Sequence, residues 1–398
     1  MSDFQLNPFF APNAPYSDLE DLPVILDRAK LAREELSTWG VAQSTPLHEM
    51  RMFAQQCGIQ NVFVKDEGRR APLKSFKSLG GAYALGEALR DHIFEIANHR
   101  PSYEELFKGE CEAYGFCGAA ATDGNHGRSL AWGASLFGIP VKIYLPNVVS
   151  KDREDAIAQY GAEIVRIDAN YDETFKRLQN DASANGWSLI QDISTKDYML
   201  PHQRVMEGYT LMAEEIVQEL DRNLPTHVFL QVGCGGMAAA IMAHFINSWP
   251  SDEMPIFVLI EATNAASTLA SFRERKPVVV GGNHETIMVG IAVGTTSYLP
   301  WLLFKQSAHS ALSMEDSFAE EAMRYCARND TGDPSFVSGE TGACGMGALL
   351  ALQHLPDVRR ALDLNSGSKV LVINSEGDTD PNAYNRIVNQ TSLIGQTA

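Results

Sequence analysis

The stretch LKSFKSLGGAYALGEAL, from Leu73 to Leu89, places Lys77 directly after Phe76 and shortly before a pair of glycines, Gly80 and Gly81. The apolar residues of the stretch recur with the three- and four-residue spacing of one helix face. They are Leu79, Ala82, Tyr83, Leu85 and Leu89. The pattern therefore predicts a helix whose start carries the amine of Lys77.

A lysine is unexpected at this place, because the N-terminus of a helix carries a partial positive charge that disfavours a second cation. Partial burial and the helix dipole both lower the pKa of an amine. A lysine with a lowered pKa is prepared to form a Schiff base with a carbonyl compound. Taken alone, the stretch favours the simpler alternative of a surface lysine beside a helix cap, because a single lysine is a weak motif.

Composition limits the kinds of partner. The 398 residues, 45% of them hydrophobic, are enough for two domains, or for one large α/β unit with an insertion. The net charge of −18 disfavours nucleic acid and anionic membranes as partners and leaves a small charged ligand. The acidic, proline-interrupted beginning resembles neither a secretory signal nor a transit peptide, so we expect a cytoplasmic protein.

The cysteines and the longest apolar run have simple interpretations. The six cysteines are scattered without a CxxC pair, which predicts reduced thiols and no metal site. The run from Val228 to Ile246 is nearly long enough to cross a bilayer. It contains Gln231, three glycines and His244, so a strand, a glycine loop and a helix are the better interpretation.

Strand patterns alternate with helix patterns along most of the chain, which predicts βαβ units and parallel sheets. The predicted strands are NVFVKDE, IPVKIYLP, EIVRID, WSLIQD, THVFLQV, IFVLIEA and SKVLVINS. GAAATDGNHGRSLAWGASLFG is predicted as a loop followed by a helix. We expect an α/β fold with two open twisted sheets and flanking helices. Residues 1–90 and 201–398 would form the large domain, and residues 91–200 a small inserted α/β domain.

Ligands of open parallel sheets collect beyond the carboxyl ends of the strands, so the loops there are candidate sites. In TDGNHGRS, from Thr122 to Ser129, two glycines flank Asn125 and His126 at a helix start, which suits an anion or a hydroxyl group. Helix capping by Asp123 or Asn125 explains the same pattern about equally well.

Two further loops follow strands. VGCGGM, from Val232 to Met237, is a glycine-rich turn between a strand and a helix, which is typical of a phosphate site. Ala238 stands where a dinucleotide fingerprint has its third glycine, which weakens that alternative. In NSEGDTD, Ser375 follows a strand and offers one hydroxyl group, although an ordinary polar turn explains it too. A Schiff-base lysine, a phosphate loop, an amide and a hydroxyl are together the groups needed to hold pyridoxal phosphate.

The chain resembles the fold-type II pyridoxal-phosphate enzymes of the threonine dehydratase and tryptophan synthase β superfamily. The resemblance covers nearly the whole chain and rests on STPL at Ser44, SFKSLGGA at Ser75, DGNHGRSLAW at Asp123, GCGGM at Gly233, TIMVGIAVG at Thr286, SGETGA at Ser338 and SEGD at Ser375. It implies a tryptophan synthase β-like architecture, the cofactor pyridoxal 5'-phosphate and a homodimer.

The resemblance also implies residue roles. Lys77 would bind the cofactor covalently, with Phe76 beside it, Asn125 at the ring oxygen and Ser375 at the pyridine nitrogen. The phosphate would be held by Gly233, Cys234, Gly235, Gly236 and Met237. The substrate would be bound by Ser75, Thr122, Asp123, Gly124 and His126, with His126 mainly orienting its loop.

Asp123 departs from the dehydratases, which commonly have a small hydroxylated residue before GNH. A carboxylate at this place would meet a second ammonium on the substrate or act as a base. Asp192, at the end of WSLIQD, is a candidate second carboxylate, or a simple turn cap. TDGNHGR, the QD of WSLIQD, PHQRVMEGYTLMAEE and SEGDTD are together similar to the diaminopropionate ammonia-lyases.

This resemblance implies catalytic roles for Lys77, Asp123 and Asp192 in the elimination of D- or L-2,3-diaminopropionate to pyruvate and two ammonia. The alternatives are a serine or threonine dehydratase or another β-elimination or β-replacement enzyme with the same cofactor. A noncatalytic amino-acid-binding protein is the alternative of another class, and retention of Lys77, Asn125 and the glycine loop argues against it.

Overall fold

A computed structural model describes residues 2–11, 16–19, 21–41, 43–122, 124–147, 149–169 and 171–390 of the chain. It has the α/β architecture that the sequence predicts. Eleven strands lie within these residues and form two sheets. The strands are β1 Phe4–Leu6, β2 Leu47–Glu49, β3 Asn61–Asp66, β4 Gly118–Ala121, β5 Val141–Pro146, β6 Glu163–Ile167, β7 Ser188–Leu189, β8 His227–Gln231, β9 Ile256–Ala262, β10 Ser310–Met314 and β11 Lys369–Asn374.

Helices cover both sheets. They are α1 Leu26–Leu36, α2 Arg51–Cys57, α3 Gly81–Ala97, α4 Tyr103–Leu106, α5 Asn125–Phe137, α6 Lys151–Ala158, α7 Tyr171–Asn185, α8 Leu200–Leu220, α9 Gly236–Ser248, α10 Ser267–Glu274, α11 Tyr298–Ser307, α12 Asp316–Ala327, α13 Cys344–Leu352, α14 Pro356–Ala361 and α15 Pro381–Val388. In the part of the chain that the structure describes, no helix is long and apolar enough to cross a membrane.

The large sheet has the strand order β1-β10-β9-β8-β11-β3-β2. Its five central strands are parallel, and the two edge strands β1 and β2 are antiparallel to their neighbours. The central strands β3, β8 and β11 are buried along nearly their whole length, as expected for a parallel sheet that is covered on both faces.

The small sheet has the order β6-β5-β4-β7 and is parallel throughout. All of its strands lie inside the segment 91–200 that we predicted as the inserted domain. Helix α3 crosses the predicted limit at residue 90 and packs against both α5 and α8. The domain limits therefore stay a prediction.

The prediction of strands was incomplete. Residues Gly118–Ala121, which we interpreted as part of a loop, form the buried strand β4 of the small sheet. The sequence GAAA has neither the alternation nor the β-branched residues of a strand, and only its neighbours stabilise it there. The strands β1, β2 and β10 were also missed, and WSLIQD contains only two strand residues, in β7.

The two sheets bring several loops together. β3, β8 and β11 lie side by side in the large sheet, so the residues after their carboxyl ends share one edge. β4 and β7 are neighbours in the small sheet, and their carboxyl ends lead to Thr122 and Asp192. All six cysteines are free thiols, in agreement with the prediction.

Candidate active site

Lys77 lies in a 3-10 helix, Phe76–Leu79, immediately before α3. The carbonyl oxygen of Lys77 accepts a hydrogen bond from the hydroxyl of Ser129 at 2.7 Å, and the same hydroxyl accepts the N–H of Ala82 at 3.0 Å. Ser129 belongs to α5, so these bonds attach the start of α3 to the helix that follows β4. The sequence correctly predicted that Lys77 lies at the start of a helical segment.

The ammonium of Lys77 faces the carboxylate of Asp192, with Nζ 2.5 Å from Oδ2. The two side chains are only 16% and 18% exposed. Burial alone would lower the pKa of Lys77, but the Asp192 carboxylate, together with Tyr209 and Cys234, outweighs it and raises that pKa well above the ordinary value. The sequence predicted a lowered pKa, and this was wrong, because it did not place the carboxylate against the amine.

Burial also acts against the charge of Asp192, but interactions with its neighbours reverse this effect. His126 and Lys77 hold the pKa of the Asp192 carboxyl far below its usual range. His126 is buried, and its Nε2 donates to the carbonyl of Ile190 at 2.7 Å, while its Nδ1 lies 3.9 Å from Oδ2 of Asp192. Burial lowers the pKa of His126, with Asp192 opposing the shift. His126 therefore orients the segment that carries Asp192.

Two aromatic rings line the other side of Lys77. The Nζ of Lys77 lies 5.4 Å from the ring centre of Phe76 and 6.0 Å from that of Tyr209, and the two rings meet edge to face at 4.7 Å. The Tyr209 hydroxyl is buried and has no hydrogen-bond partner among the described residues. Sequence reasoning missed Tyr209, although PHQRVMEGYTLMAEE contains it, because nothing in a buried helix marks which side faces a site.

The glycine-rich turn connects β8 to α9, as predicted, and α9 begins at Gly236. Gly235 has a φ of +100°, and a Cβ there would lie 2.7 Å from Cβ of Pro300. A Cβ on Gly236 would lie 2.6 Å from Nε2 of His202. Side chains other than hydrogen therefore do not fit at these two positions. Backbone N–H groups at the start of a helix of 13 residues form a site for an anion.

Asn125 is the first residue of α5, and its side-chain amide donates to Oε2 of Glu376 at 2.6 Å. Glu376 is buried and also accepts from the Thr379 hydroxyl at 3.2 Å and from the Thr341 N–H at 3.3 Å. These bonds connect α5, which follows the small sheet, to the loop after β11 in the large sheet.

Glu340 lies close to Glu376 and is buried as well. Burial, and next the charge of Glu376, raise the pKa of Glu340 to about 7. The side chain is therefore partly protonated at neutral pH. It supplies a carboxyl group that titrates near the site under physiological conditions.

The remaining predicted residues occupy the same region. The Ser75 hydroxyl donates to the carbonyl of Ser375 at 3.2 Å, and the N–H of Phe76 donates to the same carbonyl at 3.2 Å. Both serines are buried, so the loop before α3 is fastened to the end of β11. The Ser375 hydroxyl is thereby placed within the same group of loops as Lys77.

Thr122 and Gly124 stand at the start of α5. The Thr122 hydroxyl accepts the N–H groups of Gly124 at 3.2 Å and Gly127 at 3.3 Å, which is a capping arrangement. Asp123, the carboxylate that distinguishes this loop in the sequence, lies outside the described residues. The predicted roles of these three residues toward a substrate stay predictions.

The residues fit pyridoxal phosphate. A lysine amine with limited exposure, a helix start whose glycines exclude side chains, and an orphaned Tyr209 hydroxyl surround one place. The arrangement offers an amine for a carbonyl, N–H donors for a phosphate and a charged carboxylate for an ammonium group. It can therefore hold an amino acid on a carbonyl cofactor and move protons near it.

Three comparisons with known proteins agree with this geometry. Residues 39–376 match the family described as pyridoxal-phosphate dependent enzyme. The diaminopropionate ammonia-lyase of Escherichia coli strain K12 is 34% identical over 393 residues, covering 98% of each chain. A solved structure of diaminopropionate ammonia-lyase from Escherichia coli in complex with D-serine matches with a TM-score of 0.88 at 32% identity, covering 98% of this chain and 97% of that chain. A second structure, in complex with the aminoacrylate-PLP azomethine reaction intermediate, matches with a TM-score of 0.84 at 31% identity and the same coverage.

Proposed function

The chain belongs to the pyridoxal-phosphate dependent enzymes and, within them, to the diaminopropionate ammonia-lyase family, and on this premise we propose that it converts 2,3-diaminopropionate to pyruvate and two ammonia. The reaction class is a carbon-nitrogen lyase. The observation that carries the proposal is the Asp192 carboxylate 2.5 Å from the Lys77 amine, because a substrate with two ammonium groups needs an anion beside the reacting centre.

Five groups would hold the cofactor. Lys77 would attach it through the amine, the backbone from Gly233 to Met237 would bind its phosphate, and Asn125 and Ser375 would contact the ring, with Phe76 packed beside it. When bound, pyridoxal phosphate withdraws electrons from the α-carbon of an amino acid and so makes the α-proton acidic.

Asp192 acts on the substrate through its charge. Its lowered pKa keeps the carboxylate ionised at neutral pH, and the surrounding burial strengthens its attraction for a cation. A second ammonium on the substrate takes the place that the Lys77 ammonium occupies in the structure. A serine or threonine side chain has no charge to offer at this position, which favours the diamine.

Two bases serve the α-carbon. We assign the α-proton of one enantiomer to Lys77 and that of the other to Asp123, on the opposite face of the substrate. The E. coli relative binds D-serine, which supports use of a D-configured amino acid by this chain as well. We propose that the α-carboxylate binds at the start of α5, where it would be contacted by Ser75, Thr122, Gly124 and His126.

Turnover of matched substrates tests the proposal. The purified protein, loaded with pyridoxal phosphate, is given D- and L-2,3-diaminopropionate, D- and L-serine and L-threonine, and release of the 2-oxo acid and ammonia is followed. We expect fast turnover of the diamine and two ammonia for each pyruvate. Preference for serine or threonine would instead assign the chain to the dehydratases. No turnover of any substrate, with the cofactor bound, would favour β-replacement or a binding protein.

We also propose a cytoplasmic homodimer that acts on a small amino acid and has no nucleic-acid or membrane partner. The acidic composition supports the exclusion of polyanions, and the family resemblance supports the dimer. Light scattering of the purified protein, with an expected mass of twice 43.7 kDa, tests the oligomeric state.

A further inference from the structure

His202 lies in the first turn of α8 and is completely buried. His202 lies near the candidate active site, because the electrostatic interactions that act on its pKa are those with Asp192, Lys77 and His126. Burial lowers the pKa of His202 to about 3, so its imidazole is neutral at physiological pH. A neutral imidazole donates through one ring nitrogen and accepts through the other.

The hydrogen bonds of Ser194 determine which nitrogen of His202 carries the proton. The Ser194 oxygen accepts the N–H of Leu299 at 3.1 Å and lies 3.0 Å from Nδ1 of His202. Among the described residues, Nδ1 of His202 is the acceptor within reach of the Ser194 hydroxyl proton. If Nδ1 carried a proton instead, the Ser194 hydroxyl proton would have no acceptor. The network therefore assigns Nδ1 as acceptor and Nε2–H as donor.

This donor points at the glycine loop. Nε2 of His202 lies 2.6 Å from the position that a Cβ on Gly236 would take, and within the described residues it has no hydrogen-bond partner. Gly236 is the first residue of α9, where the backbone N–H groups form the anion site. The segment from Gly233 to Met237 contains no cationic side chain that would serve the anion instead.

We propose that His202 is a further ligand of the cofactor phosphate and that its Nε2–H donates to the anion held by the loop from Gly233 to Met237. Ser194 is the positioning residue that fixes the tautomer. Position 236 requires a glycine because the imidazole of His202 occupies the space that a side chain would need. The inference rests on the proposed function only in requiring pyridoxal phosphate, not in requiring a particular substrate.

Cofactor affinity of the apoprotein tests the assignment without any turnover. The apoprotein is titrated with pyridoxal phosphate, and separately with pyridoxal, which lacks the phosphate, while absorbance and tryptophan fluorescence are recorded. His202→Leu removes the donor and keeps an apolar side chain of similar size. We expect the Kd for pyridoxal phosphate to rise about 10- to 100-fold, as for a lost hydrogen bond to a charged group, and the Kd for pyridoxal to change less than about threefold.

Two variants control for packing. His202→Gln keeps a donor near the position of Nε2, and its Kd for pyridoxal phosphate should stay within about threefold of the wild type. Gly236→Ala should weaken cofactor binding strongly in the wild type but less in a His202→Ala background, because the atom that the new methyl group meets is then absent. This non-additivity shows the contact between the two residues even if the leucine variant fails to fold.

An unchanged Kd for pyridoxal phosphate in His202→Leu would overturn the proposal. Equal losses for pyridoxal phosphate and pyridoxal would overturn it too, since His202 would then act through packing alone. A raised KM for the substrate with an unchanged cofactor Kd would overturn it as well, because His202 would then contact the substrate and not the cofactor phosphate. Binding of the cofactor without turnover of diaminopropionate would contradict the proposed function and leave this test intact.

Discussion

The ammonium of Lys77 and the carboxylate of Asp192 form an ion pair of 2.5 Å between the segment before α3 and the segment after β7. The pair raises the pKa of Lys77 and lowers that of Asp192, so both groups are charged across the neutral range. Its stabilisation is constant between the ordinary pKa values of a free aspartate and a free lysine, because each shift moves its group away from that interval.

Replacement of Asp192 by asparagine should destabilise the apoprotein in a pH-dependent manner. Without the carboxylate, burial lowers the pKa of Lys77, so its protonated form becomes unfavourable in the folded state. We expect a loss of about 2–4 kcal/mol in the free energy of unfolding at pH 7, and a smaller loss at pH 10 where Lys77 gives up its proton.

Urea unfolding of the apoprotein at the two pH values measures this effect. Asp330→Asn is the control, because its pair with Arg328 is exposed and should contribute little at either pH. An equal loss for Asp192→Asn at pH 7 and pH 10 would show that the variant acts through packing and not through the charge of Lys77.

Lys77→Ala should abolish turnover together with the visible absorbance of covalently bound cofactor. The matched control is Lys74→Ala, three residues earlier in the same loop, whose side chain is 57% exposed and pairs with Asp378. That variant should keep both properties, because its amine lies in solvent. Absorption spectra of dialysed protein and kcat with diaminopropionate measure the result. Retention of either property by Lys77→Ala would remove Lys77 from the role of cofactor lysine.

Asp123→Asn should impair one enantiomer of diaminopropionate more than the other, because we assign Lys77 and Asp123 to opposite faces of the substrate. A base that transfers a proton contributes about 10²- to 10⁴-fold, so the ratio of kcat/KM for the two enantiomers should shift by at least about 100-fold. Asp192→Asn is the comparison, since loss of its charge weakens attraction of the second ammonium for both enantiomers. A variant of Asp123 with an unchanged ratio would contradict its role as a base.

The sequence predicted the parts of the site that are local and left out those that depend on distant contacts. Lys77 and the loop from Gly233 to Met237 were recognised because each lies at a strand-to-helix connection with its own pattern. The pairing of Lys77 with Asp192 joins residues 115 positions apart, and no local pattern contains it. His202 and Tyr209 were missed because they lie in a helix that is buried on most sides, so its sequence does not mark which side faces the site.

The same distinction holds for the fold. The apolar strands β3, β8, β9 and β11 were predicted from their own composition, since long buried strands are rich in valine, isoleucine and leucine. The alanine strand β4 and the three-residue edge strands β1 and β2 take their conformation from neighbouring strands. Their own sequences are too short or too neutral to indicate it.

Gly235→Ala should destabilise the fold and weaken cofactor binding. The residue has a φ of +100°, and the new Cβ would meet Cβ of Pro300 at 2.7 Å and the ring of Phe304 at 2.9 Å. Gly282→Ala is a matched control with a φ of +117° and no atom within 4 Å of its Cβ. We expect losses of about 2–4 kcal/mol for Gly235→Ala and about 1–2 kcal/mol for the control. Similar losses in thermal unfolding would mean that the crowding at Pro300 has no effect.

Glu340→Gln should stabilise the protein at alkaline pH and leave it unchanged in acid. The pKa of Glu340 is raised to about 7 by burial and by Glu376, so the folded state holds a proton that the unfolded chain releases near pH 4.3. Rising pH therefore lowers the free energy of unfolding until Glu340 also ionises in the folded state. Above the folded-state pKa of Glu340 this loss of stability is constant. Glutamine carries no charge and avoids this loss. We expect a gain of about 1–3 kcal/mol in the free energy of unfolding at pH 8, and almost none at pH 4, by urea unfolding.

Glu261→Gln is the control for this prediction. The pKa of Glu261 is also raised to about 7, but its carboxylate accepts the N–H groups of Thr268 and Leu269 at 2.8 Å. The amide loses one of these acceptors, so that variant should not gain stability, and a gain confined to Glu340→Gln attributes the effect to removal of the buried charge beside Glu376.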